Sequence, residues 1–344
     1  MVTRRAVIGA MGGGLVSAGA VPDLAAAAGA SRGSGGAVEG TLVLVEKSGH
    51  AVAFHDVADG TRLARIPLDE HPHEMVVDSA RRYAYIGHYG VRMSGDVGPG
   101  GSSVFVVDLA ARELVRTIEL SPFNRLHGIA IDDQDRVYVL SEEQGVLLRI
   151  DDAAEADGAS AAVHTGGIKT HMVVTNREGT RAYVTGLLSH TVSLVDPHDA
   201  SAAPTVASPG RLPESCALSE DEKYLYVGAR QDGALVRLDA RTLKEKDRAE
   251  VPGDPLRVYV EPGRGTLLTT DIENRAVTRY DDDLQKMQSI SFDGTPAGIS
   301  FHPTEPTAFI TLLDIDTVAI LDLESFTTVG TLATGAEPDV TALI

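Results

Sequence analysis

The chain has 344 residues, 43% of them hydrophobic, and a mean hydropathy near zero, the composition of a soluble globular protein with ample material for a core. Its formal net charge of −19 excludes the basic footprint that nucleic acid or an anionic membrane surface would need, so neither partner is expected. A single cysteine, Cys216, excludes an intramolecular disulfide, and stability has to come from packing and sheet closure.

In chain order, residues 1–30 read as an export signal. Paired Arg4 and Arg5 precede a short glycine- and alanine-rich apolar run, then small residues suited to a signal peptidase near Ala28 or Ala30. The stretch resembles a twin-arginine signal, which implies folding in the cytoplasm and export to the periplasm or the exterior. Residues 31–40 have linker composition, and the folded domain is expected over residues 41–344. No later segment is apolar enough to span a bilayer, so no membrane association is expected once the signal is removed.

The remainder is repetitive. One phrase recurs as RRYAYIG from Arg81, DRVYVLS from Asp135, TRAYVTG from Thr180 and EKYLYVG from Glu222, with weaker copies from Arg264 and Glu305. A second phrase, an apolar run ending in aspartate, closes at Asp56, Asp108, Asp151, Asp196, Asp239, Asp281 and Asp322. Their intervals of 52, 43, 45, 43, 42 and 41 residues match the period of a four-stranded propeller blade. The long first interval holds a Gly-rich insertion, Tyr89 to Ser103. Each aspartate is read as structural, its side chain turning the strand by bonding the backbone two residues on. The fold expected is all-β: a seven-bladed β-propeller of four-stranded blades. The segment from Asp339 to Ile344 pairs beside Thr41 to Glu46, closes the ring and leaves no exposed sheet edge.

This alternation of YV-type strands with strands ending in Asp resembles the YVTN-repeat, lactonase-like family of seven-bladed propellers, over about residues 41–344. The resemblance implies the fold; propellers of this kind serve as lyases, lactonases, dehydrogenase subunits and cell-surface proteins.

Counting back from each YV strand picks out a ring. Twelve positions before Tyr85, Tyr183, Tyr226, Leu268 and Phe309 stand His73, His171, Glu214, Leu256 and Ala297; His127 holds that place with one residue fewer, and Asp339 follows the final Glu-Pro. The first strand of a propeller blade lines the channel, so His73, His127 and His171 converge near the axis. There they are expected to hold a divalent transition metal, iron, copper or zinc, with Glu214 as fourth ligand or as an acceptor fixing a tautomer. Second strands run back to the same face, which places His88, Glu142, Arg230 and Asp271 there. His88 and Glu214 are the candidate proton-transfer residues; Glu142, Arg230, Asp271 and Asp339 are candidate lining residues. The insertion starts on this face, where it is placed to close over a bound molecule. His50, His55, His164, His190, His198 and His302 share no register and are read as surface or turn residues. Cys216 is read as buried filler.

The sequence carries no G-x-x-x-x-G-K-[ST], G-x-G-x-x-G, G-x-S-x-G, H-E-x-x-H or C-x-x-C-H motif, which disfavours nucleotide, dinucleotide and c-type haem chemistry. Two function classes stand. The first is an exported, monomeric, metal-dependent lyase, hydrolase or isomerase acting on a small molecule in the central pocket of the top face; a propeller oxygenase with axially bound iron is a variant of it, set back by Glu214 in place of a fourth histidine. The second is a non-catalytic extracytoplasmic binding scaffold, weakened by the absence of tryptophan.

Overall fold

A computed structural model describes residues 38–344; the expected export signal over residues 1–30 and most of the expected linker lie outside the described residues. The described chain forms seven four-stranded antiparallel sheets arranged as the blades of a β-propeller, as the repeat predicts. From the axis outward, the first blade is Pro338–Leu343, Thr41–Glu46, Ala51–Asp56 and Arg62–Pro67. The second is Pro72–Val77, Tyr83–His88, Ser103–Asp108 and Glu113–Glu119. The inner strands of the next five are Leu126–Ile131, Thr170–Thr175, Pro213–Leu218, Pro255–Glu261 and Pro296–Phe301. The ring closes where Leu42 pairs with Leu343 and Leu44 with Thr341, so one blade is built from both ends of the described chain.

Hydropathy explains the layering within a blade. Middle strands such as TLVLVE and VYVLS are apolar without alternation because neighbouring blades cover both faces. Outermost strands such as EKDRAE are polar and alternate between exposed and half-buried, which suits an edge in water. Five of the seven repeated aspartates accept from the backbone two residues on, Asp56, Asp108, Asp196, Asp239 and Asp322, whereas Asp151 pairs with the Arg149 side chain and Asp281 accepts from the N–H of Gln285, four residues on.

All seven inner strands share a bulge at the same place. In the second blade Pro72 pairs with His88 and Met75 with Ile86, so three steps on one strand meet two on the other. The same slip follows Leu126, Thr170, Pro213, Pro255, Pro296 and Pro338. The extra residue breaks the two-residue alternation, so adjacent residues such as His73 and Glu74 no longer point to opposite faces. Two bulge glycines allow the blades to approach: a Cβ on Gly128 would lie 2.5 Å from the His171 carbonyl oxygen, and one on Gly298 would crowd the carbonyl of Asp339. In five blades the strand is entered through a left-handed, non-glycine residue, His71, Arg125, Lys169, Leu212 or Glu337, with φ between 49° and 58°.

Candidate functional site

The ring read from the sequence assembles. His73 and His127 meet edge to face with centroids 4.2 Å apart, and His127 lies 3.7 Å from His171. His73 gives its Nδ1–H to Asp339, and His127 donates from Nδ1 to the His171 carbonyl at 3.0 Å. Both tautomers are thereby set, with Nε2 left as the lone-pair nitrogen. Burial, reinforced by the cations Lys47 and Arg257, holds His73 well below the usual histidine range; burial, then His171 and His73, does the same to His127. Both are neutral imidazoles.

His171 differs. Its Nδ1 faces Glu142 at 3.0 Å and its Nε2 faces Glu214 at 2.8 Å. Burial alone would lower its pKa, but Glu214 and Glu142 outweigh burial and raise it, which favours the charged form. With a carboxylate against each ring nitrogen, both are engaged in this arrangement. Beside the expected three-histidine set stands a group of different composition, His73, Glu74 and His127, whose ligand atoms all lie within 4.8 Å of one another. Glu74 was hidden because a regular strand would turn it away from His73; the bulge brings it round.

Glu214 also accepts from Arg230 Nη1 at 3.0 Å, and Arg230 is clamped by both oxygens of Asp254 at 2.6 Å. Against burial, the charges of His171 and Arg230 keep the Glu214 carboxyl far below its ordinary range. Glu142, fully buried, receives the Tyr89 hydroxyl at 2.9 Å and lies 3.5 Å from Lys169. Of the second-strand residues, Glu142 and Arg230 reach the ring. His88 and Asp271 do not: the His88 ring packs on Phe105, and Asp271 accepts from the N–H groups of Asp254 and Asn274 and so fixes a turn.

The difference is one of register. Glu142 and Arg230 stand four residues beyond Tyr138 and Tyr226, whereas His88 and Asp271 stand three beyond Tyr85 and Leu268. The four-residue position gives Tyr89 in the second blade and Lys47, four beyond Val43, in the first; both belong to the site. The Tyr89 ring centroid lies 5.3 Å from that of His73 and meets His127 edge to face at 4.7 Å. Lys47 Nζ lies 3.2 Å from His73 Nε2, and burial, opposed by Glu337 and aided by Arg257, lowers its ammonium to about 8.

The insertion covers this end. Arg125, buried at the entry to the third blade, donates to the carbonyls of Ser94 at 3.1 Å and Gly98 at 2.9 Å, and Arg92 reaches Glu337 at 3.0 Å. Beneath it every ring residue is buried, from His127 at 1% exposure to Leu256 at 9%. The inner strands change from buried at their starts to half-buried towards their ends, and between those ends lies a channel of about 410 Å³ lined by Glu74, Met172, Ser215, Arg257 and neighbours further along the strands. The open end is thus the face opposite the insertion, not the face on which the ring was expected to open.

No family model and no curated relative matches this chain. Solved structures match its fold. Dihydro-heme d1 dehydrogenase NirN, in complex with DHE, aligns with a TM-score of 0.63 and 18% identity over 88% of this chain and 66% of that one. A functionally unknown protein from Desulfotomaculum acetoxidans aligns at 0.73 and 10% identity over 88% and 98%, and a chain of the mitotic checkpoint complex at 0.66 and 12% over 78% and 80%. At such identities the likeness is one of fold, and the YVTN resemblance likewise extends to the propeller alone. Among the described residues, no helix is long and apolar enough to cross a membrane.

Proposed function

We propose that the chain is a metal-dependent enzyme that acts on a small molecule in the central channel, with a divalent cation held by His73, His127 and Glu74. The observation that carries this is the state of the two imidazoles. Each has its Nδ1 spent on a carboxylate or a carbonyl, each is kept neutral by burial, and each has its ligating nitrogen near a carboxylate. Metal-binding histidines are oriented in this way in general. Two imidazoles and one carboxylate suit iron or zinc and leave coordination positions open. A tetrahedral edge built on ~2.1 Å bonds is about 3.4 Å, so the cluster contracts on loading.

When bound, such a cation polarises a carbonyl or activates water, the chemistry of a hydrolase, lyase or isomerase. The chain's own groups supply the rest. Lys47, desolvated beside His73, is placed to pass a proton at Nζ. Tyr89 and the Glu142–His171–Glu214 run hold the ring rigid and exclude water. Arg4 and Arg5 support export by the twin-arginine route as a folded, loaded monomer, and the net charge of −19 supports a partner that is neither nucleic acid nor membrane.

Elemental analysis after reconstitution with iron(II) or zinc tests the reading. One equivalent is expected in the wild type, none in a His73→Ala, His127→Ala double variant, and one in His171→Gln. A wild type that takes up no metal sinks the proposal and favours the binding scaffold. Retention in the double variant would move the site elsewhere.

A further inference from the structure

The inner strands carry a second ring, one residue past the first, made of Glu74, Gly128, Met172, Ser215, Arg257 and their counterparts in the seventh and first blades. Arg257 is its one cation. It is 6% exposed and lines the channel. A guanidinium has five N–H donors, and burial makes unmade bonds costly. Yet Arg257 makes a single strong contact, from Nη2 to Glu74 Oε1 at 2.5 Å. Its Nη1 faces the Met172 thioether, a weak acceptor, and its buried Nε has no partner. Nε and Nη2 share one edge of the guanidinium. Glu74 occupies half of that edge and the other half is empty.

We propose that this edge is the recognition site for a small carboxylate that enters the channel from the face opposite the insertion. The planar fork of Nε and Nη2 matches a carboxylate in bidentate fashion, and Glu74 already shows that a carboxylate fits against it. The cavity of about 410 Å³ falls in the range of small-ligand sites. The proposal deepens the function above by naming the substrate class, and it rests on that reading only for the order of events. A cation that draws Glu74 toward His73 and His127 releases Arg257, so metal binds first and the carboxylate second. The ligand's acid group then lies against Arg257 with its remaining atoms directed at the ring.

Titration calorimetry of the full chain with succinate, with its neutral analogue succinamide and with inorganic phosphate tests this. Zinc-loaded wild type is expected to bind succinate at least tenfold more tightly than either of the others. Arg257→Gln loses that preference. Arg257→Lys, which keeps the charge and the fold but not the fork, weakens succinate by about tenfold. Glu74→Gln, examined without metal, is expected to bind succinate at least tenfold more tightly than metal-free wild type, because Arg257 has lost its anionic partner. Equal binding of succinate and succinamide, a preference for phosphate, or undiminished succinate binding by Arg257→Lys overturns the proposal. The Glu74→Gln arm separates the two readings: binding there with no zinc uptake by the wild type leaves the carboxylate site standing and the metal site fallen.

Discussion

One arc of the ring is polar and the other is not, although the backbone is the same in both. From the first blade to the fifth, the ring residue and the residue ending the second strand are Asp339 with Lys47, His73 with Tyr89, His127 with Glu142, His171 with Leu187 and Glu214 with Arg230. In the sixth and seventh they are Leu256 with Ile272 and Ala297 with Leu313. The bulge occurs in all seven inner strands, so it belongs to the architecture and not to the chemistry. What distinguishes the polar arc is that each buried charge has an opposite charge or a directed hydrogen bond, as buried ions require. A repeat fold thus supplies its own control: positions equivalent in backbone but different in residue type show where buried polar chemistry has been added.

Substitutions can break that contrast, and the largest effect is expected in the polar arc. Glu142→Ala removes the shared acceptor of His171 and Tyr89 and leaves the buried His171 with one carboxylate partner; a loss of about 3–5 kcal/mol is expected in urea melts. A loss below about 1 kcal/mol would show that the network is not held together at Glu142. In the apolar arc, Leu256→Ala is expected to cost about 2–3 kcal/mol as a cavity while leaving metal uptake unchanged; loss of metal would erase the distinction between the arcs. Gly298→Ala pushes a methyl group into the Asp339 carbonyl and is expected to cost about 1–3 kcal/mol by thermal melting.

Two smaller effects sharpen the comparison away from the ring. Asp132 accepts from Arg136 Nε at 2.7 Å and from the Tyr138 hydroxyl at 2.8 Å, and these bonds outweigh burial and lower its carboxyl pKa. A lowered folded-state value means a contribution present above the unfolded value of ~3.9 and lost as pH falls through the folded one. Asp132→Asn is therefore expected to be less stable than wild type by about 1 kcal/mol at pH 7, with the gap closing in acid; a gap that persists at pH 2 would assign the effect to shape. Burial pushes the Cys216 thiol up to about 12. It should not react with a thiol reagent at pH 8 until the protein unfolds, and rapid reaction in native buffer would place it on an accessible surface instead.

Blade number, the insertion and ring closure were legible because the turn-forming aspartates and apolar runs repeat at near-constant intervals. The positions of His73, His127, His171, Glu214 and Asp339 were legible for the same reason, since a common register in each blade becomes a common height along the axis. Their chemistry was not. Whether His171 ligates or donates depends on Glu142, which approaches it from the neighbouring blade. Glu74 and Arg257 were invisible to a two-residue alternation that the bulge interrupts. Lys47 and Tyr89 stand four residues past Val43 and Tyr85, the place that Glu142 and Arg230 hold past Tyr138 and Tyr226, one position beyond His88 and Asp271 in the common register. The direction of opening depends on the insertion, whose anchors to Arg125 and Glu337 are long-range contacts with no local signal.

The first blade has a temporal consequence. Lys47 comes from the beginning of the described chain and Asp339 from its end, and His73 is held between them. During synthesis the ribosome delivers six blades and most of the ring before Pro338–Leu343 emerges. Until then His73 has no carboxylate to fix its tautomer, and Thr41–Glu46 has no inner neighbour. The site is assembled last, by the strand that also locks the fold, so a chain cut before Pro338 lacks both the ring closure and the carboxylate that holds His73.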